Sequence, residues 1–228
     1  MTEWLDANQD KVNQLTSYIL SDPELSSLAN KEQWISLMRA LGGRTEKDLC
    51  RNKNFLYHYF EVFGDSIDEK LNFLTILNNI PGNLFAYDKF LEKIKIPANI
   101  TYIFEGAFQH CSYLERVIFE KDSALMGISN KVFAECHSLV EIELPEGVRT
   151  LGDFVFDGCK SLKDVTLPSS ITTLGGYLFA SCNYLKEIEF AGTQEQFEKI
   201  DNGIWDRLSS IEKIHCSDDG YFEYSNPI

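Results

Sequence analysis

Short alternations of apolar and polar residues recur along the chain beyond residue 90. Each is six residues long, begins and ends on an apolar residue, and carries Ile or Val at its fourth position. Alternation over such a length is typical of a half-buried strand. The pattern predicts six strands, at residues 91–96, 114–119, 139–144, 162–167, 185–190 and 211–216.

A second pattern, F-x-x-C-x-x-L, precedes four of these strands and shows that the chain is repetitive. Successive copies are 25, 23 and 23 residues apart, measured between the cysteines. The copies begin at Phe108, Phe133, Phe156 and Phe179, and their cysteines are Cys111, Cys136, Cys159 and Cys182. A repeat of about 23 residues forms one strand-bearing coil that cannot bury its apolar face alone, so neighbouring coils must stack to make a core.

The full repeat, L-x-x-I-x-L-P-x-x-I-T-x-L-G-x-x-x-F-x-x-C, resembles the BspA-type leucine-rich repeat. The resemblance covers about residues 77–219, including the SDDG segment at 217–220, which is similar to the end of such arrays. It implies a solenoid with one parallel sheet. It also implies relatives that are mostly cell-surface or adhesion proteins.

Residues outside the repeat carry signals for helices. The segment 191–208 contains a capping box at Thr193 and Gln196, followed by apolar residues at helical spacing, and predicts a helix that caps the solenoid. Within residues 1–76, box-like helix starts occur at Asn30 with Gln33, Thr45 with Asp48, and Ser66 with Glu69. The predicted fold class is therefore α+β, with a helical N-terminal capping domain over 1–76. A solenoid of about six strands over 77–228 follows it, with a C-terminal cap at 191–228.

The net charge argues against two classes of partner, and the start of the chain bears on its cellular location. Lys and Arg total 21 against 35 Asp and Glu, a formal net charge of −14. Proteins bind nucleic acid and anionic membranes through Lys and Arg, so neither is expected as a direct partner. The acidic start of the chain shows no secretion signal, and no apolar run approaches the ~20 residues of a membrane span. We expect a cytoplasmic protein, with the cell surface as the alternative that the resemblance implies.

The repeated cysteines are the first candidates for chemistry. Their common context places each at the same interior turn of its coil, where a free thiol is an ordinary buried residue. Adjacent coils bring His110 and Cys111 towards Cys136 and His137, which raises the alternative of a metal site or a nucleophile–base pair. No metal-binding or catalytic sequence signature accompanies them. We therefore expect no cofactor, no metal and no enzymatic activity.

The side chains that alternate outward from the six strands form the main candidate binding surface. Acids occupy the middle of this surface, and basic residues mark both ends. The predicted partner-binding residues are Glu141, Glu143, Asp164, Glu187 and Glu189. A solenoid commonly binds along such a face, so a protein partner with a basic surface is expected. The alternative is a solvated face that only serves solubility.

The segment FLYHYFEVF at 55–63 is a second candidate interface. It holds more aromatic side chains than one buried stripe of a helix accommodates, so some must face another element or a partner. The residues are Phe55, Tyr57, Tyr59, Phe60 and Phe63. The alternative is a helix packed on both sides within the protein.

The predicted function is a non-catalytic protein–protein interaction module. Two alternatives stay open. One is a viral or mobile-element inhibitor whose acidic surface replaces nucleic acid on a host protein, and the other is a cell-surface adhesion protein of the resembled family. The sequence predicts no oligomeric state.

Overall fold

The chain forms a β-solenoid in a computed structural model that describes residue 74 and residues 78–200 and 211–223. The chain divides into two units at Leu77, and the described residues from 78 onward all belong to the second unit. Two sheets run along this unit, and most coils contribute one strand to each of them. The two sheets are called here the long sheet and the short sheet.

The long sheet contains the six strands that the alternation predicts, and this prediction is confirmed. They are β2 (Lys93–Ile96), β4 (Arg116–Phe119), β6 (Glu141–Glu143), β8 (Asp164–Leu167), β10 (Glu187–Phe190) and β11 (Lys213–Cys216). All six are parallel. A seventh strand, β12 (Tyr221–Glu223), pairs antiparallel with β11 and ends the sheet as the structure describes it.

The short sheet consists of strands of two residues each, all parallel. They are β1 (Asn79–Ile80), β3 (Tyr102–Ile103), β5 (Gly127–Ile128), β7 (Thr150–Leu151) and β9 (Thr173–Leu174). Their apolar second residues point inward, and Ile80, Ile103, Ile128, Leu151 and Leu174 are all buried. The core therefore lies between the two sheets.

The predicted α+β class with one parallel sheet was wrong. There are two sheets, and within 78–200 and 211–223 the one helix is the five-residue α1 (Gln194–Glu198). A two-residue strand is too short for alternation to reveal, which is why the short sheet escaped prediction. The helical domain predicted over 1–76 lies outside the described residues apart from Leu74, and nothing in the structure supports it. Its signals were short capping patterns, whose Ser, Thr, Asn and Asp residues also favour turns.

The predicted capping box at the start of α1 is confirmed. The Thr193 side chain accepts a hydrogen bond from the Gln196 backbone N–H, and the Gln196 side chain accepts one from the Thr193 N–H. The helix buries Phe197 against Phe190 and Phe222, with ring centroids 5.2 Å apart in each case. The rest of the predicted helical segment, 201–208, lies outside the described residues.

Identical corners of successive coils hold the core together. Five phenylalanines (85, 108, 133, 156 and 179) stack in one column, with neighbouring ring centroids 5.0–5.7 Å apart and ring planes within 11° of each other. Backbone N–H groups in and beside this column donate hydrogen bonds to carbonyl oxygens of the next coil, as the Phe108 N–H does to the Val132 carbonyl at 2.9 Å. Stacked rings and inter-coil hydrogen bonds thus repeat with the period of the sequence.

The same corner forces two residues per coil into the left-handed backbone region. They lie two positions before and two after each stacked phenylalanine, as Phe154 (φ 58°) and Gly158 (φ 73°) do around Phe156. Glycine fills only two of these ten positions, Gly106 and Gly158. Because a residue with a Cβ is strained there, the stacked core imposes this backbone conformation against local preference.

Candidate functional site

The outward side chains of the six parallel strands of the long sheet form one continuous surface, called here the strand face. On each strand the central Ile or Val points inward and is buried, as Ile142 and Val165 are. The residues on either side of it point outward, because side chains alternate across a strand. From β2 to β11 they are Lys93 and Lys95, Arg116 and Ile118, Glu141 and Glu143, Asp164 and Thr166, Glu187 and Glu189, and Lys213 and His215.

The structure places all five predicted acids on the strand face, on the three adjacent strands β6, β8 and β10. Glu141 is directly opposite Asp164, so two like charges face each other across neighbouring strands. Glu143 and Glu189 are both opposite Thr166, one from each side. The five side chains are exposed to solvent. Their role in binding stays a prediction.

Basic side chains contact only two of these five acids. Glu141 faces Arg116 on β4, with 3.7 Å between Oε1 and Nη2, and Glu187 contacts His215 Nε2 on β11 at 2.8 Å. Among the described residues, no ion pair forms at Glu143, Asp164 or Glu189. The middle of the strand face therefore carries negative charge that basic residues at its two ends leave uncompensated.

A groove of about 490 Å³ crosses the strand face from β4 to β8. Its lining combines charged side chains with the apolar residues Ile118, Phe119 and Pro145. Ile118 is 49% exposed. Strand alternation revealed the positions of Arg116 and Ile118, but the groove depends on three-dimensional shape and has no signal in the sequence.

The cysteines form a buried column rather than a reactive site. Each thiol donates a hydrogen bond to a phenylalanine carbonyl of the preceding coil, as Cys136 does to Phe108 at 3.2 Å and Cys159 to Phe133 at 3.1 Å. Burial raises the pKa of the Cys159 thiol well above its ordinary value and that of Cys182 to about 12. A thiol reacts as the thiolate, so these groups are poor nucleophiles and poor ligands at neutral pH.

The described cysteines are all free, which agrees with the interpretation of Cys111, Cys136, Cys159 and Cys182 as structural residues; Cys216 is also buried and free. Cys50 lies outside the described residues. No group of three or more His, Cys, Asp or Glu suited to a metal ion occurs in the part of the chain that the structure describes.

The histidines considered for a metal site or a catalytic pair have other contacts. The His110 ring stacks on Tyr87, with centroids 4.6 Å apart, and His137 Nε2 lies 2.6 Å from a carboxylate oxygen of Glu135. Both are partly exposed turn residues. These contacts agree with the interpretation of His110 and His137 as surface residues.

The second candidate interface cannot be placed on the structure. The residues of that interface all lie outside the described part of the chain: Phe55, Tyr57, Tyr59, Phe60 and Phe63. The prediction for them stays untested.

No helix within 78–200 and 211–223 is long and apolar enough to cross a bilayer.

Stacked strand-bearing coils with repeated Leu, Phe and Cys positions define a leucine-rich repeat solenoid. The family model described as the BspA type leucine rich repeat region matches residues 53–126 and 126–223, which is well over half of the chain. The chain belongs to this family. The match begins upstream of residue 77, where the sequence pattern placed the first coil.

Several solved structures are similar to this chain. A leucine-rich cell surface protein from Faecalibacterium prausnitzii is 32% identical, with a TM-score of 0.52, over 56% of this chain and 34% of that one. The leucine-rich repeat protein TpLRR from T. pallidum is 28% identical, with a TM-score of 0.48, over 50% of this chain and 52% of that one. A leucine-rich repeat protein from Bacteroides ovatus is 24% identical, with a TM-score of 0.45, over 61% of this chain and 40% of that one.

The chain thus covers between about a third and a half of the length of these three proteins. No curated protein matches it. The family match and the F. prausnitzii structure therefore establish the family and the fold, and the function has to be argued from the site.

Proposed function

We propose that the protein is a non-catalytic protein–protein interaction module that binds a basic partner on its strand face. Leucine-rich repeat solenoids typically serve as surface or interaction modules, and an extended sheet face suits that role. The residues proposed to bind are the five acids Glu141, Glu143, Asp164, Glu187 and Glu189.

One observation carries this proposal. Five exposed acids lie side by side on three adjacent strands, and three of them make no ion pair among the described residues. Like charges opposite one another destabilise a sheet by about 0.2–1 kcal/mol per pair. A chain that only needed solubility could spread its acids over the surface without this penalty. A basic partner would neutralise the repulsion and recover the free energy on binding.

The charge pattern also favours one orientation of the partner. Lys93, Lys95 and Arg116 lie beyond one side of the acids, and Lys213 and His215 lie beyond the other. A partner with basic residues at its centre and acids around them matches the whole face. Such complementarity mainly accelerates association and excludes mismatched partners.

Affinity capture tests the proposal, with two variants of equal charge change as bait. The strand-face variant carries Glu143→Gln, Asp164→Asn and Glu189→Gln. The control variant carries Glu92→Gln, Glu105→Gln and Glu198→Gln, which neutralise exposed acids elsewhere on the described solenoid. Both full-length baits and the wild type are incubated with native-cell lysate, and captured proteins are quantified by mass spectrometry.

A partner that is lost with the strand-face variant and kept with the control supports the proposal. Equal loss with both variants would show that only overall charge matters, and full retention with both would exclude the strand face as the interface. Addition of duplex DNA to the lysate separates the two acidic-surface functions, since displacement of the partner by DNA favours the nucleic-acid mimic.

Cell-surface adhesion is a second candidate, which the similarity to the F. prausnitzii cell surface protein favours. Its test is independent of the strand face. Labelling of intact native cells with a membrane-impermeant amine reagent should modify the protein if it lies outside the membrane. Labelling only after lysis would exclude this function.

A further inference from the structure

The groove across β4, β6 and β8 has an exposed aliphatic side chain on β4 and acids on β6 and β8. On β4, Ile118 is half exposed, and Arg116 and Phe119 also line the groove. Glu143 on β6 lies beside Ile118, and Asp164 lies on β8. This order of apolar and charged groups suits a ligand with the same two kinds of side chain.

Only part of the acid in the groove is available to a ligand. Glu120 Oε1 pairs with Lys95 at 2.8 Å, and Glu120 Oε2 accepts a hydrogen bond from the Ala98 N–H at 3.1 Å. Glu141 faces Arg116. Among the described residues, Glu143 and Asp164 make no ion pair, so the uncompensated charge of the groove is confined to its β6–β8 end.

The spacing of these groups matches a single extended chain. Neighbouring strands are about 4.8 Å apart, and the parallel register sets Ile118 beside Glu143, with Asp164 two strands away and two residues back, so the backbone distances are roughly 5 Å to Glu143 and roughly 12 Å to Asp164. In an extended segment that crosses the strands, side chains at positions i and i+2 point the same way and are roughly 6.6–7 Å apart. A basic residue two positions away from an apolar residue on Ile118 therefore lies between the two acids.

The dimensions of the groove suit a single segment. The groove spans β4 and β8, of four residues each, and β6, of three, so it is about 10–13 Å wide along the strands. One extended chain fits such a strip.

We propose that the groove binds a linear segment with an aliphatic residue on Ile118 and Arg or Lys two positions away, between Glu143 and Asp164. This inference rests on the proposed function, since it specifies the kind of partner that the strand face accepts. The charge complementarity lies on β6 and β8, and the exposed aliphatic side chain on β4 sets the position of the apolar residue.

The test uses synthetic peptides and the full-length protein with labelled Ile methyl groups. The probe is acetyl-Gly-Ser-Leu-Ser-Arg-Ser-Gly-amide, compared with the same peptide carrying citrulline for Arg or Ser for Leu. The methyl signal of Ile118 is followed by NMR during titration at about 0.15 M salt, where long-range attraction is screened. The buried Ile103 methyl in the short sheet, outside the groove lining, serves as the internal reference.

Three protein variants locate the contacts. Asp164→Asn should weaken the Arg peptide about two- to fivefold and leave the citrulline peptide unchanged. Ile118→Ser should weaken the Leu peptide about three- to tenfold and leave the Ser peptide unchanged. Glu105→Gln is the matched control, because Glu105 is an exposed acid away from the strand face and outside the groove lining, and it should change neither.

Two outcomes would overturn the groove proposal. One is that Glu105→Gln weakens the Arg peptide as much as Asp164→Asn while Ile118→Ser has no effect, which would mean that charge acts without the groove. The other is an unshifted Ile118 methyl with every peptide. The proposed function itself fails only in the capture experiment, so the two failures are distinguishable.

Discussion

Replacement of Cys159 by alanine tests the reading of the cysteine column as structural. The side chain is fully buried, and its Sγ donates to the Phe133 carbonyl oxygen at 3.1 Å. Loss of a buried group of about one CH₂ costs about 0.8 kcal/mol, and loss of a weak thiol hydrogen bond adds about 0.5–1 kcal/mol. Because the Phe133 carbonyl keeps its bond from the Cys136 N–H at 3.2 Å, no polar group is orphaned. The expected loss of stability is therefore about 1–2 kcal/mol.

Serine at the same position separates the hydrogen bond from apolar burial. A buried hydroxyl without a partner costs about 1–3 kcal/mol. At position 159 the Phe133 carbonyl is already placed to accept, so we expect Cys159→Ser to be within about 1 kcal/mol of Cys159→Ala. Val155→Thr is the control, because it introduces a hydroxyl at a fully buried position of the same coil where the native side chain makes no hydrogen bond.

Urea unfolding of the full-length chain measures all three variants, with an unchanged m-value as the sign that only stability has moved. The reasoning is refuted if Cys159→Ser is less stable than Cys159→Ala by as much as Val155→Thr is less stable than the wild type. That result would mean that the carbonyl does not accept from residue 159. A loss well above about 3 kcal/mol for Cys159→Ala would point to a role beyond packing.

Five further predictions rest on the described contacts and on the sequence. Asp164→Asn should raise the melting temperature slightly by removing a charge opposite Glu141, and the gain should shrink at high salt. Lys131→Gly should stabilise the chain by about 0.5–1 kcal/mol in urea unfolding, because Lys131 is held at φ 56°. The pKa of Asp157 is raised, above all by burial, so the contribution of Asp157 to the free energy of unfolding falls as pH rises through that pKa. Asp157→Asn should therefore raise the melting temperature at neutral pH. The pKa of Glu120 is lowered, above all by its hydrogen bond with Lys95, so the stability that ionised Glu120 gives the folded chain is lost as pH falls through the folded-state pKa. Glu120→Gln should therefore make the melting temperature less sensitive to acid. Thiol titration of the unfolded, unreduced protein should find all six cysteines free.

The strands and the stacked core could be predicted because the repeat reports them several times over. A single F-x-x-C-x-x-L is weak evidence, but four in step require one environment repeated in every coil. The stack from Phe85 to Phe179 and the buried thiols are that environment. The outward residues were predictable for the same reason, since inward Ile or Val at a constant position fixes which side chains point out.

Features that depend on only one or two residues were not predictable. Each strand of the short sheet is a pair of residues, and β12 is a three-residue strand whose antiparallel direction no local pattern encodes. The contacts of Glu120 with Lys95 and with the Ala98 backbone join neighbouring coils and depend on side-chain conformation. The capping signals over 1–76 lie outside the described residues, so the structure does not test them.

Variation in the length of the coils shows where this solenoid can acquire specificity. Each of these long-sheet strands begins 13 positions after the end of the preceding short-sheet strand (80 to 93, 103 to 116, 128 to 141, 151 to 164, 174 to 187). The next short-sheet strand begins 9, 11, 9 and 9 positions after the start of the long-sheet strand (93 to 102, 116 to 127, 141 to 150, 164 to 173).

The constant segment contains the phenylalanine stack and the cysteine column, in which an insertion would break contacts with both neighbouring coils. The two extra residues instead follow β4, in the loop that holds Glu120, and Glu120 lines the groove. In that loop Glu120 stands where the preceding coil has Pro97, and its carboxylate binds Lys95 and the Ala98 N–H. Recognition is therefore expected beside the variable loops, on the strand-face side of each coil, because the opposite corner must stay the same for the coils to stack.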